Sequence, residues 1–151
     1  MKKRIIITGL IAGTLDIIGA CVASYWIRGT QPSRVLKYIA SGIFGKDASA
    51  GGYGMMAMGL IFHYIIAFSC TIIFFWCYRR MDILRKSILV DAVLIALVAW
   101  AVTNYLVIPL SRIHPAPFNL TSAARAIGIL IVCIGLPISI MAKKSFRKAG
   151  V

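Results

Sequence analysis

Residues 5–27 read IIITGLIAGTLDIIGACVASYWI, a predominantly apolar run with one carboxylate, Asp16, at its middle. About 20 apolar residues rising ~1.5 Å each cross the ~30 Å hydrocarbon core of a bilayer, so the run predicts a membrane-spanning helix, Ile5 to Ile27. A carboxylate at the centre of such a helix costs roughly 2.5–3.5 kcal/mol on insertion scales. Its surroundings should therefore offset that cost.

Three further runs of the same kind follow, Gly54–Tyr78, Ser87–Ile108 and Ala123–Ala142. Of the 151 residues, 60% are hydrophobic, and the mean hydropathy is +0.89. A water-soluble domain of that length needs more polar surface. The expected fold is all-α, a four-span transmembrane helix bundle, with residues 1–151 forming one integral-membrane domain.

The formal net charge of +13 is not spread as a nucleic-acid-binding face would be. Eleven of the seventeen basic residues lie in three clusters: Lys2-Lys3-Arg4, Arg79-Arg80 with Arg85-Lys86, and Lys143-Lys144 with Arg147-Lys148. Each cluster flanks a span. The positive-inside rule places both termini and the middle loop in the cytoplasm, and such clusters attract anionic headgroups. The expected partners are the lipid bilayer and either a second copy or another membrane protein, with no nucleic acid.

The N-terminus has one competing reading. Lys2-Lys3-Arg4 followed by an apolar stretch and Ile18-Gly19-Ala20-Cys21 resembles a lipoprotein signal peptide. Asp16 inside the would-be apolar region and the continuation through Val22–Ile27 argue against cleavage. All four cysteines, Cys21, Cys70, Cys77 and Cys133, fall in spans without a C-x-x-C pair, which suits packing rather than disulfide chemistry.

On a helix at 100° per residue, Gly9, Gly13, Asp16, Ala20 and Ala23 share one face. Gly9 and Gly13 have the spacing that lets membrane helices approach closely, with Ala20 extending the strip. Asp16 should therefore point into protein rather than lipid. The first outer loop, Arg28–Tyr53, carries Val35, Leu36, Ile39, Ala40 and Ile43 at helical spacing, with Thr30 and Pro32 as a start and Gly45 as a stop. It predicts a short amphipathic helix, either interfacial or packed over the mouth of the bundle. In the second span, His63 shares a face with Gly59, Ala67, Cys70 and Phe74, while Trp76 and Tyr78 stand where an aromatic belt belongs. The second outer loop, Pro109–Ser122, places three prolines around His114 and should be extended rather than helical. Pro137 predicts a kink in the fourth span.

Depth groups the polar residues. With Asp16 at the midplane, His63 lies about three residues outward, Asn104 six or seven, and Arg125 seven or eight, a ladder at ~1.5 Å per residue. These four are the candidate intramembrane polar site. Asp91, nearer the cytoplasm, is within snorkelling reach of Arg85 or Lys86. Asp16 with His63 reads in two ways, as a hydrogen-bonded lock between helices or as a proton or cation site. Arg125 suits headgroup pairing at the outer surface.

Enzymatic chemistry has little to work with. The chain contains no glutamate, and its carboxylates are Asp16, Asp47, Asp82 and Asp91 alone. No His/Cys/carboxylate cluster has metal-ligand spacing, and one membrane histidine cannot supply both axial ligands of a haem. No cofactor is expected. The Arg/Asn/Glu pattern of four-helix integral enzymes that activate glutathione is missing.

Several stretches together carry a likeness. Gly9-Leu10-Ile11-Ala12-Gly13 opens the first span, and His63-Tyr64-Ile65-Ile66-Ala67-Phe68-Ser69 lies in the second. Asn104-Tyr105-Leu106-Val107-Ile108-Pro109-Leu110 closes the third, before Pro115-Ala116-Pro117-Phe118-Asn119. Together they resemble the small bacterial inner-membrane proteins of the YagU type, over most of the chain. That resemblance implies an inner-membrane location and a four-helix fold, and supplies no catalytic residues. Small multidrug transporters also have four short spans and an acid near the middle of the first, but their aromatic and glycine pattern around the acid is absent here. The expected function is a non-enzymatic membrane subunit or accessory protein, self-associating through the Gly9/Gly13 face. The alternative is a small proton- or cation-coupled transporter using Asp16 with His63.

Overall fold

The computed structural model describes residues 2–81, 84, 87–113 and 117–147, and among them every regular element is helical. Four helical stretches are long and apolar enough to cross a membrane: Lys2–Arg28, Tyr53–Arg80, Ile88–Leu110 and Leu120–Phe146. The chain is a multi-pass membrane protein by this measure. The first span is α1 (Lys2–Arg28) and the second is α4 (Tyr53–Arg80). Between them lie α2 (Pro32–Phe44) and the single turn α3 (Asp47–Ala50).

The third and fourth spans each contain one wider turn. The third consists of α5 (Ile88–Val102), a π turn (Thr103–Val107) and α6 (Ile108–Leu110). The fourth consists of α7 (Leu120–Leu130), a second π turn (Ile131–Gly135) and α8 (Leu136–Arg147). Both π turns end two residues before a proline, Pro109 or Pro137. Proline cannot donate to the carbonyl four residues back, and its ring crowds that carbonyl. Widening the preceding turn re-satisfies the backbone, as neighbouring structure must in a lipid environment. The Ile108 and Leu136 amides donate five residues back, to Thr103 and Ile131. The expected kink at Pro137 thus takes the form of a π turn.

The same device corrects the second outer loop, where Pro109 lies in a helical turn rather than in extended chain. At the loop's other end the Asn119 side chain accepts from the Ser122 amide at 3.0 Å, so the fourth span starts at Leu120 instead of Ala123. His114, at the centre of the loop, lies outside the described residues. The helix expected in the first outer loop spans Pro32–Phe44, with proline in its first turn and Gly45 ending it at φ +66°. Its packing partner is α4: a Cβ on Gly59 would overlap the backbone carbonyl of Leu36, so only glycine permits this crossing.

The spans pack in a row more than in a ring. α1 lies between α4 and the fourth span, and α5 packs on the fourth span from the other side. α4 meets the fourth span at α8, where Phe75, Tyr78 and Phe146 stack. These rings join Ala12, Phe74, Leu84, Ile95, Ile134, Ile138 and Ala142 in one buried core. Tyr78 is therefore a core residue, not part of an interfacial belt. Trp76 is exposed, with the Arg80 guanidinium 4.5 Å from its ring centroid. Arg4 donates to the Ser145 carbonyl at 2.9 Å, which ties the start of α1 to the end of α8.

Candidate functional site

The buried residues of α1 are Thr8, Gly9, Ala12, Gly13 and Ile17. At 100° per residue, Asp16 falls near the middle of that arc, so the acid faces protein. Its side chain is 17% exposed. Opposite stands α4, whose buried residues include Gly59, His63, Ala67, Thr71 and Phe74.

The small residues of α1 act as sockets for α4 side chains. A Cβ on Gly9 would collide with the Phe68 ring, and one on Gly13 with the Tyr64 ring and Ala67. Gly9 and Gly13 are therefore used inside the chain, and this face is not free for a second copy. Ala20 is half-buried farther along. Gly19, on an adjacent face, makes room for Cys133 and Ile129 of the fourth span. Cys133 is thus a packing residue at the second π turn.

His63 Nε2 lies 2.8 Å from the backbone carbonyl of Gly13 and 3.9 Å from Asp16 Oδ2. A carbonyl oxygen only accepts, so Nε2 carries the proton and donates it to Gly13. The longer distance to Asp16 is electrostatic contact, not a hydrogen bond. A second link lies alongside, between Thr14 Oγ1 and the Tyr64 hydroxyl at 2.7 Å. The α1–α4 interface is therefore locked by glycine sockets and two polar contacts that do not involve the carboxylate. Among the described residues, Asp16 has no hydrogen bond and one charged-group neighbour, His63.

The depth ladder does not become a cluster. The Asn104 amide donates to the Trp100 carbonyl at 2.9 Å, within the distortion leading to Pro109. Arg125 is exposed and donates to the Thr121 carbonyl at 3.3 Å. Neither is joined to Asp16 or His63 by a hydrogen bond or ion pair among the described residues. Asp91 is more deeply buried than its place near the end of a span suggests. It is 1% exposed, and its Oδ1 has no hydrogen-bond partner among the described residues. Its position one turn into α5 suggests an interfacial pair, yet helical phase puts it with Ala92, Ile95, Ala96 and Ala99 against the fourth span. Arg85 and Lys86, its expected partners, lie outside the described residues.

Among the described residues, no three His, Cys, Asp or Glu side chains are placed to hold a metal ion. What the Asp16–His63 arrangement can do is exchange a proton or attract a small cation at mid-membrane. Comparison with family models, curated proteins and solved structures finds no match.

Proposed function

We propose that the chain is a small protein of the bacterial inner membrane, with both termini and the Arg79–Arg80 loop in the cytoplasm and α2 at the outer interface. We propose further that it acts without enzymatic chemistry, as a membrane subunit that packs on a second copy of itself through α5. The basic clusters and the YagU-type likeness support the location. One observation carries the subunit reading: α5 is one end of the row, opposite α4, and apart from its own continuation packs substantially on the fourth span alone. Its small residues, Ala92, Ala96 and Ala99, face that span, while Leu89, Val90, Val93, Leu94, Leu97 and Val98 remain exposed as a purely aliphatic strip. Association of such strips in lipid is driven by shape and packing.

The test is energy transfer between labelled copies in vesicles over a range of protein-to-lipid ratios. Association should appear with the native chain and weaken when Val93→Trp and Leu97→Trp reshape the strip. A native chain that stays monomeric at every ratio would sink the reading.

A second reading, proton- or cation-coupled transport, draws on a different observation. His63 spends its Nε2 proton on Gly13, which leaves Asp16 unbonded at 3.9 Å. An acid kept at that cost without a structural partner suits a binding role. Reconstituted protein should then move protons or organic cations, and Asp16→Asn should abolish the flux. Equal flux from both proteins would exclude it.

A further inference from the structure

At the end of the bundle that holds both termini, α5 and α8 diverge around a groove of about 340 Å³, lined by Ile88, Ile140, Lys143 and Lys144. Ile140, Lys143 and Lys144 stand at i, i+3 and i+4, so they share one face of α8. That face turns away from the core: Ile138, Ser139, Ala142, Ser145 and Phe146 are buried, whereas Ile140 and both lysines are exposed. The groove is thus lined by two aliphatic side chains and two lysines.

Neither lysine makes an ion pair or hydrogen bond among the described residues. Asp91, 1% exposed, is the acid whose field reaches Lys143 and offsets part of its charge, without forming an ion pair with it. The first turn of α5, on the other wall, sets its free backbone amides against the Asp91 carboxylate of the same turn. Ser87 makes no side-chain cap there, and Ile88 of that turn lines the groove.

We infer that this groove holds an anionic phospholipid, its phosphate between Lys143 and Lys144 and an acyl chain along Ile88 and Ile140. The split chemistry selects the ligand. Two ammonium groups alone would suit free phosphate, but the aliphatic side chains of Ile88 and Ile140 beside them suit the tail of a lipid. The site lies on the opposite wall of the fourth span from α1 and does not depend on how the chain functions.

Native mass spectrometry of the full chain, extracted from vesicles of phosphatidylglycerol and phosphatidylethanolamine, reads occupancy directly. One phosphatidylglycerol per chain should be retained, and Lys143→Ala with Lys144→Ala should weaken it by roughly 30-fold, about a factor of five per lysine. Lys2→Ala with Lys3→Ala removes the same charge from the same end of the bundle and should change retention by less than about twofold. Ile140→Trp fills the groove, keeps both charges and points away from the core, so it should fold normally and still expel the lipid. Equal loss from the two lysine pairs would reduce the effect to diffuse attraction and overturn the inference. Retention by Ile140→Trp, or competition by inorganic phosphate as strong as by the lipid, would do the same.

Discussion

Replacing Gly135 with alanine should destabilise this protein, although the same change usually helps a helix. Alanine is favoured over glycine by about 1 kcal/mol in a helix interior. At Gly135, however, the added Cβ would overlap the carbonyl group of Ala92, with the Ala92 Cα only 2.9 Å away. These are backbone atoms, so no side-chain rotation relieves the clash. α5 and the fourth span must part by roughly an ångström, and overpacking of this kind costs about 1–3 kcal/mol. A gap of that size also forfeits about a quarter to a half of each affected dispersion contact. Gly128, one to two turns earlier in the same span, provides the control, because a Cβ there meets nothing within 4 Å. The helix-propensity gain is common to both alanine variants and cancels, so they should differ by the overpacking cost, about 1–3 kcal/mol, which for a chain of this size is roughly 2–12 °C in melting temperature. Circular dichroism melts in one detergent would measure the difference. If Gly135→Ala melts at or above Gly128→Ala, the close crossing of α5 and the fourth span is wrong.

Gly59→Ala should release α2 while leaving the four spans assembled, because its Cβ would strike the Leu36 backbone; hydrogen exchange should rise across 32–44 and not in α1. Asp91→Asn should raise the melting temperature, since a buried carboxylate with an oxygen unpartnered among the described residues carries a desolvation cost that the amide lacks; a drop of several degrees would mean that attraction to a cation such as Lys143 outweighs that cost. Tyr64→Phe should cost about 0.6 kcal/mol, the usual worth of a polar contact between membrane helices, by removing the link to Thr14; a much larger loss in the same melt would mean that the hydroxyl serves more than this pair.

The spans were legible because the bilayer imposes one rule on all of them. Length and hydropathy suffice to find α1, α4 and the helical third and fourth spans, and Pro32 and Gly45 bracket α2 at the positions where the helix starts and stops. The ends of the spans were harder to read. Composition stops the fourth span at the polar Thr121 and Ser122, but a cap on Asn119 carries the helix through them. A proline rule based on soluble helices ends the third span at Ile108, whereas a π turn carries it past Pro109. Which spans touch was not legible from hydropathy at all. Gly135 marks a close backbone crossing between two spans and Gly59 one between a span and α2, yet each looks like an ordinary glycine in an apolar run.

The polar residues divide on a similar line. Helical phase correctly turned Asp16 and His63 toward each other, because a face of small residues is a property of one helix at a time. Pairing them by depth assumed that an acid and an imidazole at similar height must bond. The backbone carbonyl of Gly13 competes for the same Nε2 proton and wins, at 2.8 Å against 3.9 Å. It can do so because glycine at position 13 lets the α4 helix come close enough for the ring to reach the backbone. The small-residue face expected to accommodate Asp16 is thus the same feature that deprives it of a hydrogen bond. If the carboxylate contributed mainly to the lock, Asp16→Asn should loosen α1 from α4. With the lock built from Gly9, Gly13, His63 and the Thr14–Tyr64 contact, the substitution should leave the melting temperature unchanged or raise it, because the amide lacks the carboxylate's desolvation cost.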